Sequence, residues 1–420
     1  MNNSINIAQL SCGTEWSGVQ AQLETCAHEC DAKIVFPVAS LDEVHEAQER
    51  FHFHPHSGML RVMLGQALEL EKYSGVFDGV ILLSCFRCAE GVLTKRVVRQ
   101  FIENELHLPV LVYSFTERTV ERNLRLRFEA LVDLVAQKEL FTVREHHGLT
   151  IGVDSGSTST KGVLMQDGKI LKTAWMKTTE HLETGTRCVE ALLGKGSLAD
   201  CDGIGVTGYG RLQLADALGA NFSQEEITVC AVGATYLAGA RVGDATVIDI
   251  GGTDSKAITL RDGLPDSFTV GGVCAGASGR FLEVAANRLG VPIKELGELA
   301  MGGDAARILM NAYCIVFGMQ DLSGALAEGE KSEDVAAAAC QSVAEQYYEQ
   351  QLQEIELRKP LIMVGGTSLN RGLVRAMGKV TGLDPIVPPH SVYAGAVGAA
   401  LLSSAVYQKT GIRRAAEMTA

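Results

Sequence analysis

The sequences DSGSTSTK at residues 154–161 and DIGGTDSK at residues 249–256 share the pattern D-x-G-x-T-x-x-K, and this repeat decides the fold. Each copy follows a short apolar run and leads into another, which predicts a strand, a glycine-rich turn and a second strand. Glycine lets the backbone approach a ligand closely, and turn N–H groups and Ser or Thr hydroxyls donate to phosphate oxygens. One copy alone is equally consistent with an ordinary hairpin. Two copies in the same register favour two turns that grip one nucleotide from both sides.

The repeat and two later glycine turns supply the predicted nucleotide site. Asp154 and Asp249 are the predicted catalytic residues near a magnesium ion, because a carboxylate at a strand end can hold Mg²⁺ through water. The predicted nucleotide contacts of the two copies are Gly156, Ser157, Thr158, Lys161, Gly251, Gly252, Thr253, Asp254 and Lys256. The segments GIGVTGYGR (203–211) and LIMVGGTSLN (361–370) each read as a strand that runs into a glycine turn. They add Gly208, Gly365, Gly366 and Asn370. Each of these two segments alone is also typical of a tight turn without a ligand.

Composition excludes several classes of function. A chain of 420 residues with 46% hydrophobic residues is long enough for two or three packed domains. With 37 basic and 50 acidic residues the net charge is −13, so we expect no nucleic-acid partner. The N-terminus lacks the pattern of a signal peptide, and no stretch is long and apolar enough for a membrane helix, so we expect a cytoplasmic protein. Its 11 cysteines are then expected to be reduced, metal-bound or buried.

The pattern of elements divides the chain. Residues 1–147 alternate four β-like runs with helical runs, which implies a smaller α/β domain with a mostly parallel sheet. The polar linker REHHG at 144–148 ends in glycine and marks the predicted boundary. Residues 148–408 form the larger predicted unit, and 409–420 form a tail. Within the larger unit, the Gly- and Ala-rich stretch at 388–400 predicts a small-residue helix that allows close packing between domains.

Two cysteine segments lie between the second copy of the repeat and the double-glycine turn. GGVCAGASGRFLE (271–283) brings Cys274 to the start of a predicted amphipathic helix, where the macrodipole and free N–H groups stabilise a thiolate. Cys314 follows in NAYCIVFG (311–318). Two cysteines cannot supply the four thiolates of an iron–sulfur cluster, but a two-fold dimer that gives two from each chain can. Taken alone, two cysteines with apolar neighbours are more often simply buried.

The order of the turns resembles the acetate and sugar kinase, heat-shock 70 and actin superfamily over residues 149–403. This resemblance implies two ribonuclease-H-like lobes with ATP or ADP and Mg²⁺ in the cleft between them. The cysteine segments, C-A-x-x-x-G-R-F-L-E and C-x-V-F, resemble the BadF/BadG/BcrA/BcrD-type ATPases, the activators of 2-hydroxyacyl-CoA dehydratases. In that family the matching cysteines, here Cys274 and Cys314, bind one [4Fe–4S] cluster across a homodimer interface.

The resemblance implies an ATPase that is coupled to electron transfer in anaerobic metabolism. A reduced ferredoxin or flavodoxin would load the cluster, and the acceptor would be a separate iron–sulfur enzyme of the dehydratase or reductase type. Two departures from the family pattern concern the partner surface and the coupling. Cys230 stands where the family usually has a histidine, and the segment GMQD at 318–321 replaces an acidic stretch.

The N-terminal domain carries a second resemblance. The segments at 108–113 and 123–131 look like the last α/β domain of the dehydratase subunits that such activators reduce. That fold places a cluster cysteine at a strand end, where Cys85 and Cys88 fall, and Cys12 ends another predicted strand. Parallel strands bring these ends to one edge of a sheet, so the three cysteines are candidate ligands of a second metal. The alternative is a docking domain with buried cysteines.

Other interpretations stay open from sequence alone. A small-molecule kinase for a sugar or carboxylate, on the same fold, would use Asp254 as a base near the γ-phosphate, which leaves the two cluster cysteines unexplained. A non-catalytic ATP-sensing regulator would pass no electron to an acceptor. His52, His54 and His56 have the composition of a metal-binding tract, but no acidic or cysteine ligand set lies near them in sequence.

Overall fold

The chain folds into two compact units. The computed structural model describes residues 4–85, 88–115, 121–136, 138–241, 243–252, 254–271, 279–312 and 314–419. One unit comprises residues 1–138 with 266–268, and the other comprises 139–265 with 269–420. The division falls at the short helix Lys138–Phe141, just ahead of the polar linker. The predicted identity of the first 147 residues as a dehydratase-like domain stays a prediction.

The first unit is an α/β domain with a parallel sheet, as its alternating pattern predicts. Its strands are β1 (Ile5–Ser11), β2 (Ala32–Val35), β3 (Gly79–Cys85) and β4 (Val110–Phe115). Its helices are α1 (Gly18–Glu29), α2 (Leu41–Arg50), α3 (Gly58–Lys72), α4 (Ala89–Phe101) and α5 (Glu121–Ala136). The strands lie in the order β2-β1-β3-β4 and all neighbours are parallel. Buried Leu10, Leu64, Leu82 and Phe101 belong to the core of this unit.

The second unit begins with a lobe built on a five-stranded sheet. Following α6 (Lys138–Phe141), its strands are β5 (Leu149–Ser155), β6 (Ser159–Gln166), β7 (Lys169–Lys177), β8 (Gly203–Gly208) and β9 (Phe222–Ser223). Its helices are α7 (His181–Leu193), α8 (Arg211–Leu218) and α9 (Glu226–Leu237). The order β7-β6-β5-β8-β9 combines an antiparallel three-stranded meander with two parallel strands. The first copy of the octapeptide forms the turn between β5 and β6.

A second lobe repeats this plan. Its strands are β10 (Ala245–Ile250), β11 (Ser255–Arg261), β13 (Leu361–Val364) and β14 (Pro385–Ile386). The strand β12 (Leu264–Val270) follows β11, and its residues 266–268 belong to the first unit. Its helices are α10 (Gly279–Leu289), α11 (Ile293–Met301), α12 (Ile315–Ala327), α13 (Ser332–Gln350) and α14 (Arg371–Thr381). β10 pairs antiparallel with β11 and parallel with β13, as β5 pairs with β6 and β8. The predicted pair of ribonuclease-H-like lobes is confirmed.

The last helix, α15 (Ala394–Thr419), returns to the first lobe and packs on β5, β8 and α9. The contacts are backbone to backbone. A Cβ on Gly398 would overlap the carbonyl oxygen of Val229 in α9, and a Cβ on Gly233 would overlap that of Ala394 in α15. Reciprocal glycines therefore let the two helices approach more closely than any side chain permits. The predicted small-residue helix is therefore closely packed, and these partners all belong to the first lobe.

Candidate nucleotide site and cysteine centres

The octapeptide spacing places an acid and a base directly across each hairpin. Asp154 lies opposite Lys161 in the β5–β6 register, and Asp249 lies opposite Lys256 in the β10–β11 register. Lys161 Nζ is 3.3 Å from Asp154 Oδ2, and Lys256 Nζ is 3.8 Å from Asp249 Oδ2. Each glycine turn therefore carries one carboxylate, which suits a cation, and one ammonium, which suits an anion.

The two turns face one cavity of about 610 Å³. A Cβ on Gly252 would lie 3.0 Å from Thr158 Oγ1, so the second turn reaches the first. The predicted site residues that line the cavity are Asp154, Gly156, Ser157, Thr158, Lys161, Asp249, Gly251, Gly252, Asp254, Lys256, Gly365, Gly366 and Asn370. Thr253 lies outside the described residues. The volume and the mixture of carboxylates, lysines and turn backbone suit a magnesium–nucleotide complex.

Two glycines with positive φ lie against the side chains of the two aspartates. Gly208 has φ +90° and ends β8, and Gly365 has φ +81° and follows β13, the equivalent strand. A Cβ on Gly208 would lie 2.9 Å from Asp154 Oδ1, and one on Gly365 would overlap Asp249 Oδ1. Gly208 therefore lies against an aspartate rather than among the lining residues. In both lobes, a glycine at the end of the equivalent strand leaves room for the aspartate carboxylate.

Lys256 is the centre of a buried charge cluster. Its Nζ is 3.1 Å from Glu226 Oε1 and 3.3 Å from Asp254 Oδ2, in addition to Asp249. Burial acts to lower the pKa of Lys256, but Glu226, Asp254 and Asp249 together raise it well above its ordinary value. The pKa of Asp254 is lowered, chiefly by Lys256. Lys256 is therefore a permanent cation, and Asp254 is a poor proton acceptor.

Glu226 is a site residue that the sequence patterns did not single out. It lies in the first turn of α9 and lines the cavity. Burial raises the pKa of Glu226 to about 7, with Lys256 opposing the shift and Asp254 adding to it. A carboxylate with a pKa near neutrality can both take and release a proton. The sequence offers one signal for this residue, because the segment EIT at 226–228 matches the family pattern in part.

Cys230 lies one helical turn after Glu226 and also lines the cavity. Its thiol donates to Asp249 Oδ2 at 3.7 Å. Burial, followed by the charge of Asp249, raises the pKa of Cys230 well above its ordinary value, so the thiol stays protonated. The departure from the family histidine therefore falls beside the second aspartate, within the nucleotide site.

Cys314 occupies the N-cap of α12. Its backbone N–H donates to Asn311 Oδ1 at 2.8 Å, and its side chain is half-buried. Exposed apolar side chains surround it in sequence: Leu309 is 95% exposed and Phe317 is 55% exposed. Such a surface suits a protein–protein contact. Cys274, the other predicted cluster ligand, lies outside the described residues.

Each of the three N-terminal cysteines lies at an element end: Cys12 follows β1, Cys85 ends β3 and Cys88 is the N-cap of α4. Burial raises the pKa of Cys12, and the thiols of Cys85 and Cys88 raise it further, so the three lie within electrostatic reach. Nevertheless, within the described ranges no three His, Cys, Asp or Glu side chains are arranged to hold a metal ion. The second metal stays a prediction.

The three histidines of the candidate tract have separate surroundings. His54 Nδ1 contacts Gln48 Nε2 at 3.1 Å, and His56 Nδ1 lies 2.8 Å from Glu90 Oε1. His52 sits in the turn after α2. The structure therefore gives no support to a shared metal at this tract.

Two facing glycine turns on duplicated ribonuclease-H-like lobes are the arrangement of the ATPases of the actin and heat-shock 70 type. The chain belongs to the BadF/BadG/BcrA/BcrD ATPase family, which matches residues 151–403. In the part of the chain that the structure describes, no helix has the length and apolar character needed to cross a membrane.

Relatives extend this assignment. The chain is 49% identical to an uncharacterized protein of Methanocaldococcus jannaschii, over 96% of this chain and 98% of that protein. It is 34% identical to the 2-hydroxyisocaproyl-CoA dehydratase activator of Clostridioides difficile, over 60% of this chain and 93% of the activator. Among solved structures, the Clostridium difficile activator with bound ADPNP gives a TM-score of 0.58 at 31% identity and covers 63% of this chain and 97% of its own. Component A of the Acidaminococcus fermentans (R)-2-hydroxyglutaryl-CoA dehydratase gives 0.55 at 29%, covering 63% and 99%.

Proposed function

We propose that this protein is an ATP-driven activator that passes a low-potential electron to a separate iron–sulfur enzyme of the dehydratase or reductase type. The relatives named as dehydratase activators support the activator role. One component of the benzoyl-CoA reductase of Thauera aromatica is 27% identical over 62% of this chain. A reduced ferredoxin or flavodoxin would be the donor, and the working form would be a homodimer.

The nucleotide half of the proposal assigns a role to each turn. Asp154 and Asp249 would hold Mg²⁺, directly or through water, while the turn N–H groups and the two lysines bind the phosphates. Glu226 would accept a proton from the water that attacks the γ-phosphate, because it is the cavity carboxyl with a pKa near neutrality. Lobe closure would be driven by the difference in affinity of ATP and ADP for the two lobe arrangements.

One connection carries the proposal: the phosphate turn is hydrogen-bonded to α10. The N–H of Gly279 donates to the carbonyl of Gly251 at 2.9 Å, and that of Arg280 donates to Gly252 at 3.2 Å. A movement of the turn therefore moves the start of α10. In chain order this start comes soon after Cys274.

The same helix reaches Cys314 through packing. Phe281 in α10 is fully buried, and a Cβ on Gly318 of α12 would lie 3.3 Å from its ring atom Cζ. Because α12 begins directly after Cys314, the second glycine turn, α10 and α12 form a continuous path of contacts from the proposed phosphate site to this cysteine. Such a path lets the nucleotide state bias the surroundings of both proposed cluster ligands.

Cys274 and Cys314 from each of two subunits would hold one [4Fe–4S] cluster, which supplies one-electron transfer at low potential. The half-buried thiol of Cys314 and the exposed apolar side chains near it fit a ligand at a subunit interface. The N-terminal unit would dock the acceptor. The kinase alternative is weaker, because Asp254 is bound to Lys256 and its pKa is lowered, whereas a catalytic base must accept a proton.

We expect anaerobically purified protein to be brown and to contain about two iron atoms per chain. Cys314→Ser should lose the colour and the iron and shift the protein from dimer to monomer, measured by iron assay, visible absorption and sedimentation. Cys201→Ser, which changes another half-buried cysteine, should keep all three properties. Colourless wild-type protein after anaerobic reconstitution would end the proposal, and about six iron atoms per chain would instead support an additional N-terminal cluster.

A further inference from the structure

Trp175 completes a row of side chains that crosses the sheet of the first lobe. Thr207 in β8 lies opposite Asp154 in β5, and Asp154 lies opposite Lys161 in β6. Lys161 in turn lies opposite Trp175 in β7. Side chains directly opposite one another on antiparallel strands project from the same face of the sheet, with Cβ atoms about 4.5–5.5 Å apart. Trp175 is therefore the direct neighbour of a lysine that we assign to the phosphates.

The side chain of Trp175 reaches the nucleotide cavity and is at the same time open to solvent. Trp175 lines the cavity, is 57% exposed and lies in β7, which forms one edge of the five-stranded sheet. Lys161 differs, because only 18% of its side chain is exposed and its Nζ lies 3.3 Å from Asp154 Oδ2. A mostly buried ammonium thus has an exposed indole as its neighbour toward the edge of the sheet.

Exposed apolar side chains line this cavity on both lobes. Trp175 and Tyr209 belong to the first lobe. Ile293, at the start of α11, and Leu369, after β13, belong to the second lobe and are also exposed. Large apolar groups on both walls of a cleft favour its closure, because closure removes them from water. The cavity therefore has an apolar rim that lobe closure can bury.

The phosphate end of the cavity lies beside Trp175. A Cβ on Gly156 would lie 3.7 Å from Lys161 Nζ, so the ammonium lies over the first glycine turn. The second glycine turn reaches the same place, since a Cβ on Gly252 would lie 3.0 Å from Thr158 Oγ1. The proposed site puts the terminal phosphate of ATP between the two turns. ADP lacks this phosphate, so only ATP brings a charge that both turns share at Lys161, next to Trp175.

We propose that Trp175 is a positioning residue of the ATPase site: when ATP is bound and the lobes close, its ring covers Lys161 and keeps bulk water from the contact between Lys161 and the γ-phosphate. Electrostatic interactions strengthen when water leaves a site. A covered ammonium therefore gives more stabilisation to the charge on the phosphoryl group in the transition state. This inference rests on the ATPase activity of the proposed function and is independent of the electron-transfer step.

Tryptophan fluorescence measures the covering directly, because the chain has two tryptophans, Trp16 and Trp175. Full-length Trp16→Phe protein keeps Trp175 as its single tryptophan. Acrylamide quenching would be compared without nucleotide, with Mg²⁺ and ADP, and with Mg²⁺ and a non-hydrolysable ATP analogue. We expect the quenching constant to fall about two-fold or more with the ATP analogue, as an exposed ring enters a closed site, and to change little with ADP.

Steady-state hydrolysis tests the effect of the ring on the reaction. Trp175→Ala should lower kcat about ten-fold and leave KM for ATP and the affinity for ADP almost unchanged, because the lost interaction forms only in the closed state. Trp175→Phe should restore most of the rate, since a phenyl ring can still cover the lysine. Leu171→Ala, which removes another exposed apolar side chain of β7 outside the cavity lining, should keep the wild-type rate.

Three results would overturn the role of Trp175. The first is equal quenching in all three nucleotide states, and the second is a Trp175→Ala protein with the wild-type kcat. The third is a Trp175→Ala protein that loses ADP affinity together with activity, since the ring would then support the fold of the site rather than its closed state. Wild-type protein that hydrolyses no ATP would instead contradict the proposed function, so the two failures are distinguishable.

Discussion

Glu226→Gln is expected to bind ATP with nearly wild-type affinity and to hydrolyse it about 10²–10⁴ times more slowly, the usual contribution of a general base. Glutamine keeps the shape of the side chain but cannot accept a proton. Lys256 retains Asp249 and Asp254 as partners, so the phosphate site should stay intact. Single-turnover phosphate release gives the rate, and calorimetric titration with a non-hydrolysable ATP analogue gives the affinity.

The dependence of the rate on pH sharpens this test. A base works only when it is deprotonated, so wild-type hydrolysis should rise with pH through about 7, the pKa that burial imposes on Glu226. Glu226→Gln should lose this rise. Glu283→Gln, which changes another carboxyl of the cavity, should keep it. A Glu226→Gln protein with wild-type turnover would show that another group activates the water.

Gly398→Ala should destabilise the second unit by about 3 kcal/mol or more, at the upper end of overpacking effects. The added Cβ would overlap the carbonyl oxygen of Val229 and lie 3.1 Å from the nitrogen of Gly233. These are backbone atoms, so no side chain can turn aside, and α15 must move away from α9. The same helix begins beside Asp154, since a Cβ on Gly395 would lie 3.0 Å from Asp154 Oδ2. Nucleotide affinity should therefore fall together with stability.

Gly324→Ala is the matched control, because Gly324 also lies inside a helix but has open space at its Cβ position. Alanine is favoured over glycine in a helix interior by up to about 1 kcal/mol, so this variant should be as stable as wild type or slightly more stable. Denaturant unfolding, with and without ADP, measures both variants. Equal stability of Gly398→Ala and Gly324→Ala would contradict the contact geometry of α9 and α15.

The features of the fold and site that depend only on residues close together in sequence could be predicted. A glycine turn between two apolar runs depends on neighbouring residues only, so both hairpins and both Asp–Lys repeats were evident from the sequence. Helix α2 was not evident from its apolar pattern, even though Ser40 and Glu43 form a capping box at its start. Its sequence is mostly polar, and Leu41, Val44 and Ala47 are its only apolar residues.

Tertiary packing explains why other features of the site could not be predicted from the sequence. α9 is buried along most of its length, so its sequence does not reveal that Glu226 and Cys230 form the face that lines the cavity. That face is set by the crossing with α15, more than 150 residues later in the chain. The raised pKa of Glu226 has the same origin, because burial and the charge of Asp254 from the other lobe raise it against the opposing charge of Lys256.

The cross-strand Asp–Lys pairs have a consequence for the protein without nucleotide. Each lysine already has a carboxylate counterion, Asp154 for Lys161 and Asp249 for Lys256, so the open cavity is not a repulsive nest of like charges. When Mg²⁺ and ATP enter, the carboxylates can turn to the metal and the lysines to the phosphates. Both internal ion pairs would then separate, and each of their members would gain a new partner in the bound nucleotide complex. Release of the products would restore both internal pairs, so each cycle would return the site to the same starting point.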